Sequence, residues 1–333
     1  MNIIRLRGIA RILFTALIIF NVIIPISCQT PSPAYAPVWD GVPGEFKAAI
    51  VGTPRVGDPF VVAAAGAGIP QSGSRMQAVL IQGDRQINRA VFFNLGEFSV
   101  RGPVSTAVLA VPVGSGGGRA TLRIEAGNRV LQTIELTIEE RTFPSQTFNI
   151  TSSMVDIITT PSPERRQQAE QMWAIWARTG DVIYTLGNFV RPVISSVQTS
   201  AFGLRRTYRY PDGRTSSSLH EGIDWRAPTG TLITAPAPGR VVLAMNRIVT
   251  GNSVVIEHMP GVYSLYYHMD SIAVSEGELV RKGMLLGESG ATGFATGAHL
   301  HFEIRVATVF VDPDAFIGKP ILDKEAILAI LNQ

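Results

Sequence analysis

The spacing of hydrophobic residues changes along the chain and divides it into segments. Residues 12–27 are almost continuously apolar, and residues 38–148 contain short apolar stretches separated by turn residues. Residues 162–180 carry apolar side chains at helical spacing, and short apolar stretches rich in Gly and Pro return from about residue 189 to 311. The pattern predicts a mainly β protein with two β regions and a short helix between them.

The first β region, residues 38–148, consists of short strand candidates separated by turn signals such as Gly57-Asp58-Pro59 and Gly116-Gly117-Gly118. The candidates are "FKAAIV", "PFVVAA", "MQAVLI", "AVFFNL", "STAVLAVPV", "ATLRIEA" and "VLQTIELTI". About seven short strands at this spacing predict an immunoglobulin-like β-sandwich. The region contains no histidine and no cysteine, so we expect a spacer or docking module rather than a catalytic centre.

One helix is predicted between the β regions, over residues 162–180. Ser162 is a suitable N-cap, proline follows at the first helical position, and Gly180 ends the helix. Met172, Trp173 and Trp176 would form an apolar stripe. We expect this stripe to pack against a neighbouring domain, although two tryptophans also fit a sugar-stacking surface. The surrounding linker is expected to position the domains rather than to inhibit either one.

The N-terminus has the composition of an export signal. Arg5, Arg7 and Arg11 precede the apolar run, and that run ends at Cys28, the sole cysteine of the chain. The position of Cys28 favours lipidation after signal cleavage; an uncleaved anchor and free secretion after Ala36 are the alternatives. Each alternative places the mature protein outside the cytoplasm, and a single cysteine leaves no disulfide within the chain.

Composition excludes some partners. The chain is 46% hydrophobic and 17% charged with a formal net charge of +3, and it has no dense Lys/Arg block beyond its first dozen residues. These values predict a globular protein without nucleic acid as a partner.

All five histidines of the 333-residue chain lie in its last part. In "GAHLHFEIR", alternation along a strand would place His299 and His301 on one face, with Phe302 and Ile304 on the other. Taken alone, such a pair is also compatible with two exposed histidines on a strand.

A second motif, "HEGIDWRAPTGT", supplies His220 and Asp224. Together with one more histidine they give three mixed nitrogen and oxygen ligands, which is typical of a catalytic zinc site with an open fourth position. A third motif, "YSLYYHMDSI", contributes His268. Histidines beyond the metal ligands are expected in a hydrolase, because an attacking water needs a proton acceptor and an oxyanion needs stabilisation.

These motifs, with "GNSVVIEH" and "VDPDAF", resemble the lysostaphin/LytM-type zinc metallopeptidases, which are peptidoglycan endopeptidases, over about residues 197–316. The resemblance implies an antiparallel, barrel-sandwich-like β core built on a duplicated hybrid motif. It also implies that His220, Asp224 and His301 bind one Zn²⁺, with His268 and His299 acting as general base and oxyanion stabiliser.

The resemblance gives other residues lesser roles. His258 is expected to be structural. Tyr208 or Tyr210, in the polar and flexible-looking loop "RRTYRYPDGRTSSSL", would reach the oxyanion.

The expected organisation is a signal peptide ending at the lipobox cysteine, a Pro-rich tether, the immunoglobulin-like domain, a linker, the peptidase domain and a helical tail; these cover residues 1–28, 29–37, 38–148, 149–192, 193–320 and 321–333. We expect a membrane-anchored envelope endopeptidase acting on peptidoglycan peptides. The alternatives are a catalytically silent envelope protein that binds the wall or activates a partner hydrolase, and a protein whose functional part is the immunoglobulin-like domain.

Overall fold

The computed structural model describes residues 44–69, 76–178 and 180–333. The predicted signal peptide, Cys28 and the Pro-rich tether lie outside these residues. All described residues belong to one compact unit, Pro33–Gln333. Among them, no helix is both long enough and apolar enough to span a bilayer.

The N-terminal domain consists of two four-stranded antiparallel sheets, as far as the described residues show, with orders β1-β2-β6-β5 and β4-β3-β7-β8. The strands are β1 (Lys47–Val51), β2 (Pro59–Ala65), β3 (Met76–Gln82), β4 (Arg85–Val91), β5 (Phe93–Ser99), β6 (Gly102–Ala110), β7 (Gly118–Ala126) and β8 (Arg129–Ile138). Alternate residues of both sheets, including Leu80, Leu109 and Leu122, are fully buried in a shared core.

This domain has one strand more than the seven candidates of the sequence. The candidate "AVFFNL" was wrong as a single strand, because β4 ends at Val91 and β5 begins at Phe93. Strand β4 lies at a sheet edge, and its sequence, RQINRAV, is largely polar and exposed. An exposed edge strand has too weak an apolar pattern to be recognised by periodicity.

The segment between the domains contains β9 (Ser145–Asn149), α1 (Ser152–Thr159) and α2 (Pro163–Ala177). Helix α2 is the helix expected from the sequence, and the Ser162 hydroxyl accepts a hydrogen bond from the Arg165 backbone N–H. The prediction of a single linker helix was wrong, because α1 precedes it with Thr151 as its N-cap. Trp176 packs against Tyr263 with ring centroids 5.1 Å apart, whereas Trp173 is exposed.

The C-terminal domain is built on a ten-stranded antiparallel sheet, counted over the described residues. Its main path is β10-β13-β20-β17-β16-β15-β18, and β14, β19 and β21 pair at its sides. The strands of this sheet are β10 (Gln198–Ser200), β13 (Ile223–Arg226), β14 (Leu232–Thr234), β15 (Gly239–Arg247), β16 (Gly251–Met259), β17 (Val262–Ile272), β18 (Leu279–Val280), β19 (Leu285–Ser289), β20 (His299–Val306) and β21 (Val309–Val311).

Two further strands, β11 (Arg205–Arg209) and β12 (Thr215–Leu219), form a hairpin. The expectation of a flexible loop here was wrong. Strand β9 of the linker pairs in parallel with β11 and completes a three-stranded sheet. The polar sequence has no apolar alternation by which these strands could be recognised.

The chain end returns to the N-terminal domain. A 3₁₀ turn (Pro313–Ala315) is followed by α3 (Lys324–Leu331), which packs against β1, β2 and β5. Lys47 donates a hydrogen bond to the Ile330 carbonyl at 2.8 Å, and Lys324 pairs with Glu97. The guanidinium of Arg141 binds Asp58 at 2.9 Å in the N-terminal domain and Asp312 at 2.5 Å beyond β21. The two domains are therefore joined at several points besides the linker.

Candidate metal centre and groove

Two neighbouring strands, β13 and β20, supply the candidate site. They pair so that Asp224 lies opposite His301, and Ile223, Trp225, Leu300 and Phe302 face the core. A Cβ at Gly222 would lie 2.2 Å from the Phe302 carbonyl oxygen, so this close approach of the two strands requires glycine.

Three predicted ligands converge at this point. His220 Nε2 lies 2.9 Å from Asp224 Oδ1 and 2.9 Å from His301 Nδ1, and His301 Nδ1 lies 2.8 Å from Asp224 Oδ1. All three residues are buried. Among the described residues, they form a group whose ligand atoms lie within 4.8 Å of one another and could hold a metal ion.

The hydrogen bonds around the two histidines fit a bound cation. His220 donates through Nδ1 to the Ala201 carbonyl at 2.8 Å, and His301 donates through Nε2 to Glu303 at 2.9 Å. These bonds leave the facing nitrogens, His220 Nε2 and His301 Nδ1, as lone-pair acceptors beside a carboxylate oxygen. Three acceptors at this separation repel one another unless a positive charge lies between them, so the donor set suits a divalent metal.

The electrostatics of the cluster point the same way. Burial opposes ionisation of Asp224, but the adjacent His220 and His301 outweigh it and hold the pKa of this carboxyl well below its usual value. Burial likewise opposes protonation of His301, but Asp224 and Glu303 outweigh it and raise the pKa of His301 to about 9. The cluster thus attracts a positive charge, and a metal ion would take the place of the His301 proton.

His268 and His299 line a groove beside this cluster. Their ring centroids lie 5.0 Å apart, and His299 Nε2 lies 3.6 Å from Asp224 Oδ1. His268 donates through Nδ1 to the Thr292 carbonyl at 2.7 Å, and His299 donates through Nδ1 to the Gly297 carbonyl at 2.8 Å. Each histidine therefore keeps its Nε2 atom available to the groove.

The backbone of His268 is strained. Its φ of 60° is left-handed, which only one other non-glycine residue, Ala307, shares within the described chain. Such a conformation costs about 1–3 kcal/mol and is concentrated at functional sites. Burial, followed by the neighbouring His301 and His299, lowers the pKa of His268 to about 3. His268 is therefore neutral at neutral pH.

A groove of about 400 Å³ runs past these residues. Tyr208 lines it and makes edge contacts with Phe294, ring centroids 5.7 Å apart. Phe148 of the linker strand β9 and Met154 of α1 line the same groove. The tyrosine near the site is therefore Tyr208, whereas the Tyr210 hydroxyl bonds Ser216 at 2.8 Å.

Two residues of this site were missed by the sequence reasoning. Arg206 donates to Asp224 Oδ2 at 2.6 Å and thereby holds the oxygen that faces away from the two histidines. Glu303 accepts the hydrogen bond of His301 and pairs with Arg305 at 3.4 Å. Strand alternation in "HLHFEIR" could have placed Glu303 on the face of His301. No local signal identifies Arg206, because its contact depends on the hairpin.

His258 lies away from the groove. It is fully buried, and its two ring nitrogens contact the Pro238 carbonyl at 2.8 Å and the Ser264 hydroxyl at 2.7 Å. Both nitrogens thus have internal partners, as expected of a structural histidine.

Among known protein families, peptidase family M23 matches residues 218–313. Residues 218–313 are a peptidase family M23 domain. The M23 domain contains His220, Asp224, His268, His299 and His301.

Relatives agree with this assignment. The chain is 37% identical over 135 residues to the DD-carboxypeptidase/endopeptidase Mpg of Neisseria meningitidis serogroup B, a match that covers 40% of this chain and 30% of Mpg. It is 39% identical over 93 residues to the peptidoglycan DD-endopeptidase ShyB of Vibrio cholerae, covering 28% of this chain and 22% of ShyB. The match thus spans less than a third of these relatives' lengths.

One solved structure matches both domains. A crystal structure of a Pseudomonas aeruginosa protein assigned to peptidase M23 has a TM-score of 0.54 and 25% identity, and covers 80% of this chain and 95% of that one. Since the M23 match alone covers far less of this chain, the similarity extends beyond the M23 domain into the N-terminal region.

Proposed function

We propose that this protein is a zinc-dependent endopeptidase that hydrolyses peptide cross-links of bacterial peptidoglycan. The observation that carries the proposal is the convergence of three lone-pair acceptors, from His220, Asp224 and His301, opposite two histidines that direct free Nε2 atoms into the same groove. A site that only binds a metal would not need His268 and His299 beside it. The relatives that are DD-endopeptidases support the choice of substrate.

The residues take the following roles in the proposal. His220, Asp224 and His301 hold one Zn²⁺, which when bound would polarise the scissile carbonyl and lower the pKa of water. His268 accepts a proton at Nε2, because its Nδ1 proton is committed to the Thr292 carbonyl. His299, when protonated on both nitrogens, donates from Nε2 to the developing oxyanion. Arg206 and Glu303 orient Asp224 and His301.

The direct test is hydrolysis of cross-linked peptidoglycan. The purified full chain should release peptides from sacculi, lose this activity with a chelator and regain it with zinc. Mass spectrometry of the products from walls of known cross-link type identifies the bond. Zinc bound at about one per chain, with no peptide released from any wall type, would contradict the proposal and favour a silent wall-binding or activating protein.

We further infer that the N-terminal domain is an immunoglobulin-like sandwich that acts as a spacer or docking module. The order β1-β2-β6-β5 corresponds to strands A, B, E and D of that fold, and β4-β3-β7-β8 corresponds to C, F and G with one added edge strand. Deleting the domain should leave hydrolysis of soluble peptides in place but change activity on intact walls.

We place the mature protein outside the cytoplasm, where peptidoglycan lies, and we propose attachment to the membrane through Cys28. The basic start and apolar run before this cysteine support the proposal. Cys28→Ala should release the protein from the membrane fraction; retention of this variant would favour an uncleaved anchor.

A further inference from the structure

Arg226 lies one position beyond the metal cluster on the same sheet face. In β13, Ile223 and Trp225 point into the core at 1% exposure each, so Asp224 and Arg226 share the opposite face. The strand register places Asp224 opposite His301 and Arg226 opposite His299. Same-face neighbours on a strand are about 6.5–7 Å apart at the backbone. On the groove face of β13 and β20, the cross-strand pair Asp224 and His301 is therefore followed by the cross-strand pair Arg226 and His299.

The positive charge of Arg226 is not neutralised within the described residues. Its side chain is exposed and lines the groove, and no carboxylate there pairs with it. Arg206, the other arginine of the groove, differs in this respect: its guanidinium binds Asp224 Oδ2 at 2.6 Å and the Ser200 hydroxyl at 2.9 Å. The charge of Arg206 is committed to the site itself, whereas that of Arg226 is available to a ligand.

The chemistry of the cross-links indicates what Arg226 would bind. In a D-alanyl–diaminopimelyl cross-link, the carbon that carries the scissile nitrogen also carries a free carboxylate. In a glycine bridge, that carbon is a methylene group followed by another amide. A guanidinium recognises a carboxylate by charge-assisted, often bidentate hydrogen bonds. A carboxylate this close to the scissile bond would lie beside His299, within reach of a long side chain on the opposite strand.

We propose that Arg226 is a specificity residue that binds the carboxylate on the leaving-group side of the scissile amide. This inference rests on the proposed function. It makes the preferred substrates those whose scissile nitrogen belongs to a residue with a free carboxylate, and it disfavours glycine bridges. It also orients the bound peptide, with the leaving group toward Arg226 and the acyl part toward Tyr208 and Phe294.

The test compares two synthetic cross-linked peptides that differ in one group. One carries the free carboxylate beside the scissile amide, and in the other this carboxylate is amidated. The zinc-loaded full chain should show a kcat/KM about 10- to 50-fold higher for the free carboxylate, the range expected of a charge-assisted hydrogen bond. Arg226→Ala should lose this preference by losing activity on the free carboxylate alone, and Arg226→Lys should restore part of it. Arg281→Ala, which removes an exposed arginine of the same domain, is the control and should keep the preference.

Two results would overturn the inference: no preference in the wild-type protein, or an equal loss on both peptides in Arg226→Ala. A binding measurement separates these failures from a failure of the proposed function. Uncleavable reduced-amide analogues, with and without the carboxylate, are titrated calorimetrically into wild-type protein and Arg226→Ala. If neither peptide is cleaved but binding depends on both the carboxylate and Arg226, the proposed function fails and the specificity role stands. If both peptides are cleaved equally well, only the specificity role fails.

Discussion

The groove and the interior around β16 both hold buried histidines, but the two regions use them differently. In the interior, His258 contacts the Pro238 carbonyl with one nitrogen and the Ser264 hydroxyl with the other. In the groove, His220, His268 and His299 each donate one Nδ1–H to a backbone carbonyl, which leaves Nε2 for other partners. Burial is therefore a poor guide to function here, and the direction of the second nitrogen is a better one.

The buried carboxylates also differ in their hydrogen-bond partners. Glu303 is buried and accepts from His301, so it acts through a ligand of the cluster. Glu257 is equally buried but pairs with Arg240 at 3.2 Å, away from the site. A buried charge belongs to the site when its partner is one of the converging residues. Substitutions in the groove and in the interior test this difference.

The largest effect is expected for His301→Ala. This variant removes one of three acceptors and leaves Asp224 buried with one histidine partner fewer, so zinc content should fall from about one per chain to near zero. Hydrolysis should fall at least about 10³-fold, since both Lewis-acid and water activation depend on the metal. Elemental analysis of the dialysed protein and peptide release measure the two effects.

His258→Gln is the matched control for His301→Ala, because it also replaces a buried histidine of the same domain. It should keep zinc and turnover. Loss of zinc in His258→Gln, or retention of full hydrolysis in His301→Ala, would contradict the division between groove and interior.

The next largest effect separates the two kinds of groove histidine. His268→Ala and His299→Ala leave all three converging acceptors in place, so both variants should bind zinc near one per chain. Turnover should fall about 10²- to 10⁴-fold, the usual contribution of a positioned proton acceptor or donor. The measurements are kcat on a cross-linked peptide and zinc content on the same preparations. A zinc loss equal to that of His301→Ala would mean that these histidines are ligands rather than catalytic groups.

The sequence predicts the chemistry of the site better than it predicts the structure around the site. Strand alternation placed His299 and His301 on one face, and the structure has them there in β20. Which histidine is a ligand followed from the resemblance to a family and not from spacing. Arg206 could not be found, because it lies in a polar hairpin whose third strand, β9, is sixty residues earlier in the chain.

The sequence likewise predicts only part of the fold. Strands with a buried face, such as β2 and β7, were visible in the apolar pattern. The exposed edge strand β4 was not, because its sequence is largely polar. Helix α1 was missed because its eight residues are too few for a helical period to be recognised. The return of α3 to the N-terminal domain was also unpredictable. An amphipathic pattern shows that a helix has a partner, but not which surface it packs on.

A smaller effect is expected for Glu303→Gln. Glutamine keeps the shape of Glu303 but removes the negative charge that increases the basicity of His301, so zinc affinity should fall about 10- to 100-fold. Competition with a chelating dye measures this affinity. Glu221→Gln is the control, because the Glu221 carboxylate pairs with Arg305 and accepts no hydrogen bond from a converging histidine. An equal loss in the two variants would mean that the net charge of the region, rather than the hydrogen bond to His301, sets the affinity.

The smallest effect on activity, and a distinct effect on stability, is expected at His258. Burial lowers the pKa of His258 from 6.5 to about 4, so the folded protein holds this ring neutral where an unfolded chain would protonate it. Its Ser264 partner bonds Tyr266, whose pKa is raised by burial, so this neighbour also stays neutral. The stability contribution is complete above pH 6.5 and is lost as the pH falls from 6.5 toward 4, by about 3 kcal/mol in total.

Urea unfolding of zinc-free protein at a series of pH values between 7 and 4 measures this contribution. Wild-type protein should lose about 3 kcal/mol more than His258→Gln over that range, because glutamine does not titrate. Using zinc-free protein keeps proton competition at the metal cluster out of the comparison, since both proteins carry the same groove residues. Parallel curves for the two proteins would show that His258 gains a proton in the folded state as readily as in the unfolded one. Burial would then not hold His258 neutral, and His258 would not differ from the groove histidines in the way described here.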